Sequence, residues 1–314
     1  MKSSRARRWT RWSTPCWPRI RPRVWPRWRP RADVTLAALQ REIAARLAAA
    51  GIEEAAAEAR FIMMEAARVD AAGLLAAGRD PVSAEARERA EAMAARRTAR
   101  EPLSHILGHQ PFWTLDLRVT PDVLTPRADT ETIVRAALEA APAGQFRVLD
   151  IGTGSGAILL AILSDRPDAT GVATDISPAA LAVARGNAQT HGLEARAEFV
   201  ETSWADGVEG VFDLVVSNPP YIASAVIAGL DAEVRDHEPH LALDGGPDGL
   251  GPYPHLFREA RRLLGPRGTG VFEIGFDQGE AALELARAAG AERAELHRDF
   301  GGRDRAVVFS FKSA

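Results

Sequence analysis

The chain has 314 residues, 46% of them apolar, and a formal net charge of −3. That length allows one large or two modest domains with a sizeable buried core. The only cysteine, Cys16, excludes a disulfide within the chain and suits a reducing cytoplasm. No uninterrupted apolar run reaches the roughly 18 residues of a membrane helix, so no membrane partner is expected.

Residues 1–32 carry ten Arg and one Lys without a single acid, together with five of the seven Trp and five Pro. The remainder has a formal charge of −14, so the near-neutral total hides two opposite parts. A basic tail interleaved with Trp suits phosphates and base stacking. An Arg-rich, acid-poor start also suits a targeting segment, although its prolines break any amphipathic helix. The segment has no periodicity. The reading favoured is that residues 1–33 are disordered or foreign to the natural protein, with Val34 the initiator if its codon is GTG.

Residues 34–107 are Ala-rich and helical in period: Leu36, Leu39, Ile43 and Leu47 recur at helix spacing, as do Ile62, Ala66 and Val69. Gly51, Gly73 and the Asp80-Pro81 step divide them into four or five short helices. Residues 108–120 alternate apolar and polar through Phe112, Trp113, Leu115, Leu117 and Val119, which predicts a hairpin linking this part to residues 121–314.

Phe146-Arg-Val-Leu-Asp150-Ile-Gly152-Thr153-Gly154-Ser155-Gly156-Ala157 runs into the apolar Ile158–Leu163. This is a strand, a glycine-rich turn and a helix, whose glycines allow close backbone approach and whose helix start favours negative charge. Gly171-Val-Ala-Thr-Asp175 reads as the next strand, ending in a carboxylate placed to accept both ribose hydroxyls. The loop alone fits a nicotinamide cofactor and S-adenosylmethionine equally well.

Phe212-Asp-Leu-Val-Val-Ser217 reads as a buried strand closed by Asn218-Pro219-Pro220-Tyr221. Such a tetrad can hold a planar amide or aryl-amine nitrogen. The Asn side-chain oxygen and the first Pro carbonyl accept its two hydrogens, and the prolines fix φ and remove donors. Tyr221 can then stack on the planar group. Two acceptors favour pyramidal geometry at that nitrogen and free its lone pair for attack. On its own, the tetrad is more often a Pro-rich turn.

Together the loop and the tetrad are decisive. They converge at one edge of a doubly wound sheet, and a dehydrogenase has no use for the tetrad. Methyl transfer from a sulfonium needs an in-line approach, an oriented lone pair and exclusion of water. The expected activity is a methyltransferase. Further strands are read at Ala197–Thr202, from Gly270 to Ile274, at Ala294–His297 and from Ala306 to Phe311, making seven.

From about Leu36 to its end the chain resembles the peptide chain release factor glutamine methyltransferase family (PrmC, or HemK). The likeness is carried by Pro102-Leu-Ser-His-Ile-Leu-Gly108 and Phe112-Trp113, by Val119-Thr-Pro-Asp-Val-Leu-Thr-Pro126-Arg127-Ala128-Asp129-Thr130-Glu131, and by the tetrad. Glu238-Pro-His-Leu-Ala-Leu-Asp-Gly-Gly246, Glu273-Ile-Gly275 and Asp299-Phe-Gly-Gly-Arg303 complete it. The resemblance implies an α/β class I S-adenosylmethionine-dependent fold. That fold has a Rossmann-like seven-stranded sheet with its last strand antiparallel, and a small N-terminal helical domain that docks the substrate.

The implied reaction methylates the side-chain nitrogen of the Gly-Gly-Gln glutamine in class I release factors, in the cytoplasm, by a monomer with no stable nucleic acid partner. Gly152, Thr153, Gly154, Ser155 and Gly156 would cradle the methionine part of the cofactor. Asp175 would hold the ribose and Trp204 would lie against the adenine. Asn218 would touch cofactor and substrate, and Pro219, Pro220 and Tyr221 would face the amide. Ser203 stands where many members have Asp, Ala128 and Asp129 replace a Pro and a Glu, and His237 stands for Phe or Tyr.

Plainer roles are a helix cap near Ser177-Pro178 for Asp175, core packing for Trp204, and a helix-dipole or salt-bridge part for Glu273, which receives no catalytic role. His237 and His240 lack further Cys or His partners, so no metal is expected. The nearest rival activity is methylation of an exocyclic amine of adenine or guanine in DNA or RNA. That substrate suits the same tetrad but sits badly with an acidic chain whose only lysine beyond residue 33 is Lys312. A catalytically silent cofactor-binding scaffold would not need two amide-facing acceptors.

Overall fold

The structure, a computed structural model, describes residues 34–312. The reading of residues 1–33 therefore lies outside the described residues.

Five helices come first: α1 (Leu36–Ala49), α2 (Ala55–Ala67), α3 (Ala71–Ala76), α4 (Ala84–Thr98) and α5 (Leu103–Leu107). Side-chain oxygens of Thr35, Asp70 and Ser83 accept from Ala38, Gly73 and Ala86 backbone N–H groups, starting α1, α3 and α4 by N-capping. The apolar stripe of α1 (Leu39, Ile43, Leu47) packs on Ala59, Ile62, Met63 and Ala66 of α2, all buried. Each large side chain in that seam contributes about 1.5–3 kcal/mol. Ala90 and Ala94 give α4 a flat face that admits the first two helices closely.

Gly108, at φ 81, ends α5 and turns the chain into the antiparallel hairpin β1 (His109–Phe112) and β2 (Leu115–Arg118). Leu115 and Leu117 are buried while Asp116 and Arg118 face outward, which is the alternation read from sequence.

The sheet that follows has seven strands: β3 (Phe146–Ile151), β4 (Ala169–Asp175), β5 (Ala197–Glu201), β6 (Phe212–Ser217), β7 (Leu264–Glu273), β8 (Ala291–Arg298) and β9 (Asp304–Phe311). Their order is β5-β4-β3-β6-β7-β9-β8. Strands β5 through β7 run parallel, and β9 inserts antiparallel between β7 and β8. Helices α6 (Glu131–Ala140), α7 (Ala157–Asp165), α8 (Pro178–Thr190), α9 (Ser224–Ile227), α10 (Ala232–Arg235), α11 (Tyr253–Leu263) and α12 (Gly279–Ala288) complete the chain.

Successive residues of β3 feed opposite faces. Phe146 and Val148 join the apolar cluster under α6 and α7, whereas Leu149 and Ile151 join the cluster under α11 and α12. A strand covered on both faces reads as an unbroken apolar run. Strand β7 starts at Leu264, earlier than the Gly270 start read from sequence, because Leu264 pairs with Phe212 before a register irregularity. Its Gly-Pro-Arg-Gly composition hides that pairing. Among the described residues, no helix is long and apolar enough to cross a membrane.

Candidate active site

The register sets Ile151 beside Thr174 on one side and Ser217 on the other, so the segments leaving β3, β4 and β6 meet at one sheet edge. The Gly152 and Thr153 backbone N–H groups both donate to Thr174 O at 2.9 Å, and Ser217 Oγ donates to Ile151 O at 2.7 Å. Below the turn, Thr153 Oγ1 donates to Asp150 Oδ2 at 2.6 Å. Burial pushes the Asp150 carboxyl up to about 7, against that hydrogen bond and one from the Leu159 backbone.

Above this edge lies a cavity of about 620 Å³, within the range of small-molecule sites. Gly152, Thr153, Gly154, Ser155 and Asp175 line it, as do Trp204, Asn218, Pro219 and Pro220. Gly152 and Gly154 have φ of 74° and 55°, and a side chain at either would meet no protein atom within 4 Å. Their bareness serves the open space beside them. Gly156 is not part of the wall: at φ 86 it starts α7 beneath the turn, against Leu160 and Ala184.

Asp175 braces the loop as well as facing the cavity. Its Oδ2 accepts from Gly154 N and its Oδ1 from Ser177 N, each at 2.9 Å. The cap of α8 is Ser177, not Asp175. Each carboxylate oxygen keeps a further lone pair for a hydroxyl. Trp204, at φ 51, holds a left-handed backbone that costs a bulky residue strain, and its ring centroid lies 6.2 Å from that of His255. The Arg258 guanidinium donates to His255 Nδ1, which leaves the ring hydrogen on Nε2.

The tetrad closes the opposite wall. Asn218 Nδ2 donates to Thr130 Oγ1 at 3.3 Å. Neither Asn218 Oδ1 nor the Pro219 carbonyl accepts a hydrogen bond from any described residue. Tyr221 lies behind this wall and is not among the residues that line the cavity. Its ring packs against the cluster of Leu149, Phe272 and Ile274, and its Oη donates to Glu273 Oε1 at 3.2 Å. Burial and the Glu273 charge push the phenol above its usual range. The Glu238-to-Gly246 stretch runs alongside: Ile222 N donates to Leu243 O and Gly245 N to Ile222 O. A side chain on Gly249 would collide with the Tyr221 carbonyl.

Two buried carboxylates that were not expected as site residues, Glu238 and Glu273, hold this wall. Glu238 is buried and accepts from Thr125 N and Arg127 Nη2, both at 3.1 Å, which pins Thr125, Pro126 and Arg127 against the cavity. The only signal for the pair was the co-linear motif likeness. Glu273 is 1% exposed, and burial pushes its carboxyl up to about 7 despite the Thr130 and Tyr221 hydroxyls and the Arg305 guanidinium. Among the described residues, no cluster of His, Cys, Asp and Glu is arranged for a metal ion.

The chain has close relatives in sequence. Residues 38–108 match the PrmC N-terminal domain and residues 130–234 the methyltransferase small domain. A release factor glutamine methyltransferase of Rhodospirillum rubrum is 44% identical over 86% of this chain and 83% of its own length. Those of Caulobacter vibrioides and Bradyrhizobium diazoefficiens are 46% and 49% identical, over 84% and 80% of this chain and 92% and 86% of theirs. The crystal structure of the hMettl16 catalytic domain in complex with MAT2A 3'UTR hairpin 6 superposes with a TM-score of 0.53. It covers 70% of this chain and 82% of that one at 17% identity, a likeness of fold alone.

Proposed function

The chain belongs to the release factor glutamine methyltransferase family, and on that premise we propose that it methylates the side-chain nitrogen (N5) of the Gly-Gly-Gln glutamine in class I peptide chain release factors. The methyl donor is S-adenosylmethionine. Gly152, Thr153, Gly154 and Ser155 would border its methionine part, with Gly156 shaping the turn and the start of α7 favouring its carboxylate. Asp175 would hold the ribose, and Trp204 and Ile176 would flank the adenine. Bound there, the cofactor supplies a methyl group activated on a sulfonium.

One observation carries the reading: Asn218 Oδ1 and the Pro219 carbonyl stand at the cavity with no internal donor. Two acceptors match the two hydrogens of a primary amide. Held by both, the amide nitrogen is drawn from planarity and its lone pair is freed. Pro219 and Pro220 supply no competing N–H. Tyr221 contributes from behind, fixing the end of the tetrad through Glu273. Positioning and exclusion of water then supply most of the acceleration.

In this reading residues 34–107 dock the release factor, the 108–120 hairpin joins them to the catalytic residues 121–314, and the enzyme works as a cytoplasmic monomer. The same acceptors suit an exocyclic amine of adenine or guanine. However, the formal charge of −14 beyond residue 32 opposes binding to phosphates. The test offers labelled methyl donor to an intact release factor, to one whose Gly-Gly-Gln glutamine is alanine, and to DNA and RNA. Label on the intact factor alone is expected. Label on nucleic acid alone would reject the substrate.

A further inference from the structure

Asn218 can serve as an acceptor for the substrate amide only if its side chain faces the right way round. Its amide has two ends, and a flip would present Nδ2, a donor, where an acceptor is needed. The contact on its other side is the Thr130 hydroxyl, reached by Nδ2 at 3.3 Å. A hydroxyl donates and accepts equally well, so Thr130 alone cannot tell Oδ1 from Nδ2.

A third group can. Glu273, at the end of β7, is buried beside both Thr130 and Tyr221. Oε1 takes the Tyr221 hydrogen at 3.2 Å. Oε2 is buried with no hydrogen-bond partner, and the Thr130 hydroxyl is among the groups that act on this carboxyl. A carboxylate only accepts. With the Thr130 hydrogen turned toward the unpartnered Oε2, its oxygen would have only lone pairs for Asn218. Nδ2 must then face Thr130, and Oδ1 is left for the cavity.

We propose that Glu273 is a positioning residue: through the Thr130 hydroxyl it sets the orientation of the Asn218 amide, and through Tyr221 it holds the far end of the same tetrad. The assignment rests on the reading that Asn218 Oδ1 receives the substrate amide.

The surroundings agree. Arg305 of β9 lies near the carboxyl and is shared with Asp129, at 2.9 Å, and Asp299, at 3.2 Å. Tyr253 of α11 donates to the Glu273 backbone oxygen at 2.8 Å and leaves the carboxyl to the tetrad. Asp129 opposes the charge and Arg305 favours it. A fully buried acid whose pKa is pushed up to about 7 lowers stability near neutral pH. Packing alone therefore gives no reason for a carboxyl over an amide or a leucine here.

The test compares wild type with Glu273→Gln, Thr130→Val, Thr130→Ser and the Glu273→Gln/Thr130→Val double variant. In Gln one carboxylate oxygen becomes an NH2 that donates, so Thr130 and Tyr221 no longer each face an acceptor oxygen, and valine removes the relay at nearly constant shape. Each of these two variants is expected to lower kcat on the release factor about tenfold or more. The KM and the calorimetric affinity for S-adenosylhomocysteine should stay within about twofold, an effect far smaller than one lost hydrogen bond to a charged group would produce. Thr130→Ser should keep wild-type kcat, and the double variant should be no slower than the worse single one, because the two act in one chain. Wild-type kcat should fall with a one-proton limb as pH drops below about 7, and the Gln variant should lack that limb.

Wild-type kcat in Glu273→Gln, or a loss of kcat matched by an equal loss of cofactor affinity and folding, would overturn the assignment. So would additive losses in the double variant. Wild-type enzyme that fails to label the release factor would overturn the underlying reading, and this assignment with it.

Discussion

Arg97 of α4 and Glu233 of α10 form an ion pair at 3.0 Å across 136 residues of chain. The same guanidinium is held by Glu58 of α2 at 2.5 Å, and Arg100 reaches Glu233 at 2.8 Å. Arg97 is 7% exposed, so this cluster is a largely desolvated link between the N-terminal helices and the segment that follows the tetrad.

Removing that cation leaves the Glu58 carboxylate without its ion-pair partner and Glu233 with Arg100 alone. Arg97→Met is expected to destabilise the protein by about 3 kcal/mol, the usual scale for breaking a buried pair from one side. It should appear as a lower urea midpoint with unchanged slope. KM for the release factor should rise, while cofactor affinity, set at the far wall, should hold. An unchanged midpoint would show that the cluster is solvated and of little consequence.

Asn218→Ala removes one of the two free acceptors without disturbing the glycine turn. Turnover is expected to fall by about 100-fold or more, on the scale of losing one preorganised polar contact to a transition state. Calorimetry with S-adenosylhomocysteine should show most of the affinity retained. Wild-type turnover in this variant would reject the role given to the side chain.

Asp175→Ala is expected to have the opposite profile. Its carboxylate braces Gly154 N and Ser177 N and faces the ribose position. Cofactor affinity should drop by at least about tenfold, because hydrogen bonds to a charged group are worth about 1.5–3 kcal/mol each. At saturating cofactor, kcat should recover much of its value. Unaltered affinity would reduce Asp175 to a loop brace.

The pH dependence of stability follows from Asp150. Its folded pKa, pushed up to about 7 by burial, lies above the roughly 3.9 of an unfolded Asp. Between those values the folded state binds more protons than the unfolded one, so stability declines as pH rises through that window and levels off above about 7. Asp150→Asn should remove one proton from that slope and raise the thermal midpoint at pH 8 relative to wild type. Parallel midpoint-versus-pH curves for the two proteins would contradict the shift.

Much of the site was legible in the sequence because its cradle is local. The turn from Gly152 to Gly156, the strand ending at Asp175 and the segment Asn218-Pro219-Pro220 each place their chemistry within a few residues of a strand end. Parallel pairing then sets those ends side by side. The supports were not legible, since their partners come from distant elements. Glu238 reaches back 113 residues to Thr125 N, and Asn218 lies 88 residues from Thr130. Tyr221 was expected at the substrate because its ring follows two prolines. A buried acceptor 52 residues away, Glu273, turns its hydroxyl inward instead. Strand β9 lies inside the sheet although it comes last in the chain, a crossing that periodicity cannot express.

The proposed reaction places the methyl group on the side-chain nitrogen of one glutamine. The most direct measurement is tandem mass spectrometry of a release factor incubated with this enzyme and S-adenosylmethionine, with the peptide bearing Gly-Gly-Gln isolated and fragmented. Fragments containing that glutamine should carry the added mass of one methyl group, formed about 100-fold or more slowly when Asn218→Ala enzyme is used. A methyl group on another residue, or an unmodified peptide beside methylated nucleic acid, would contradict the proposed reaction.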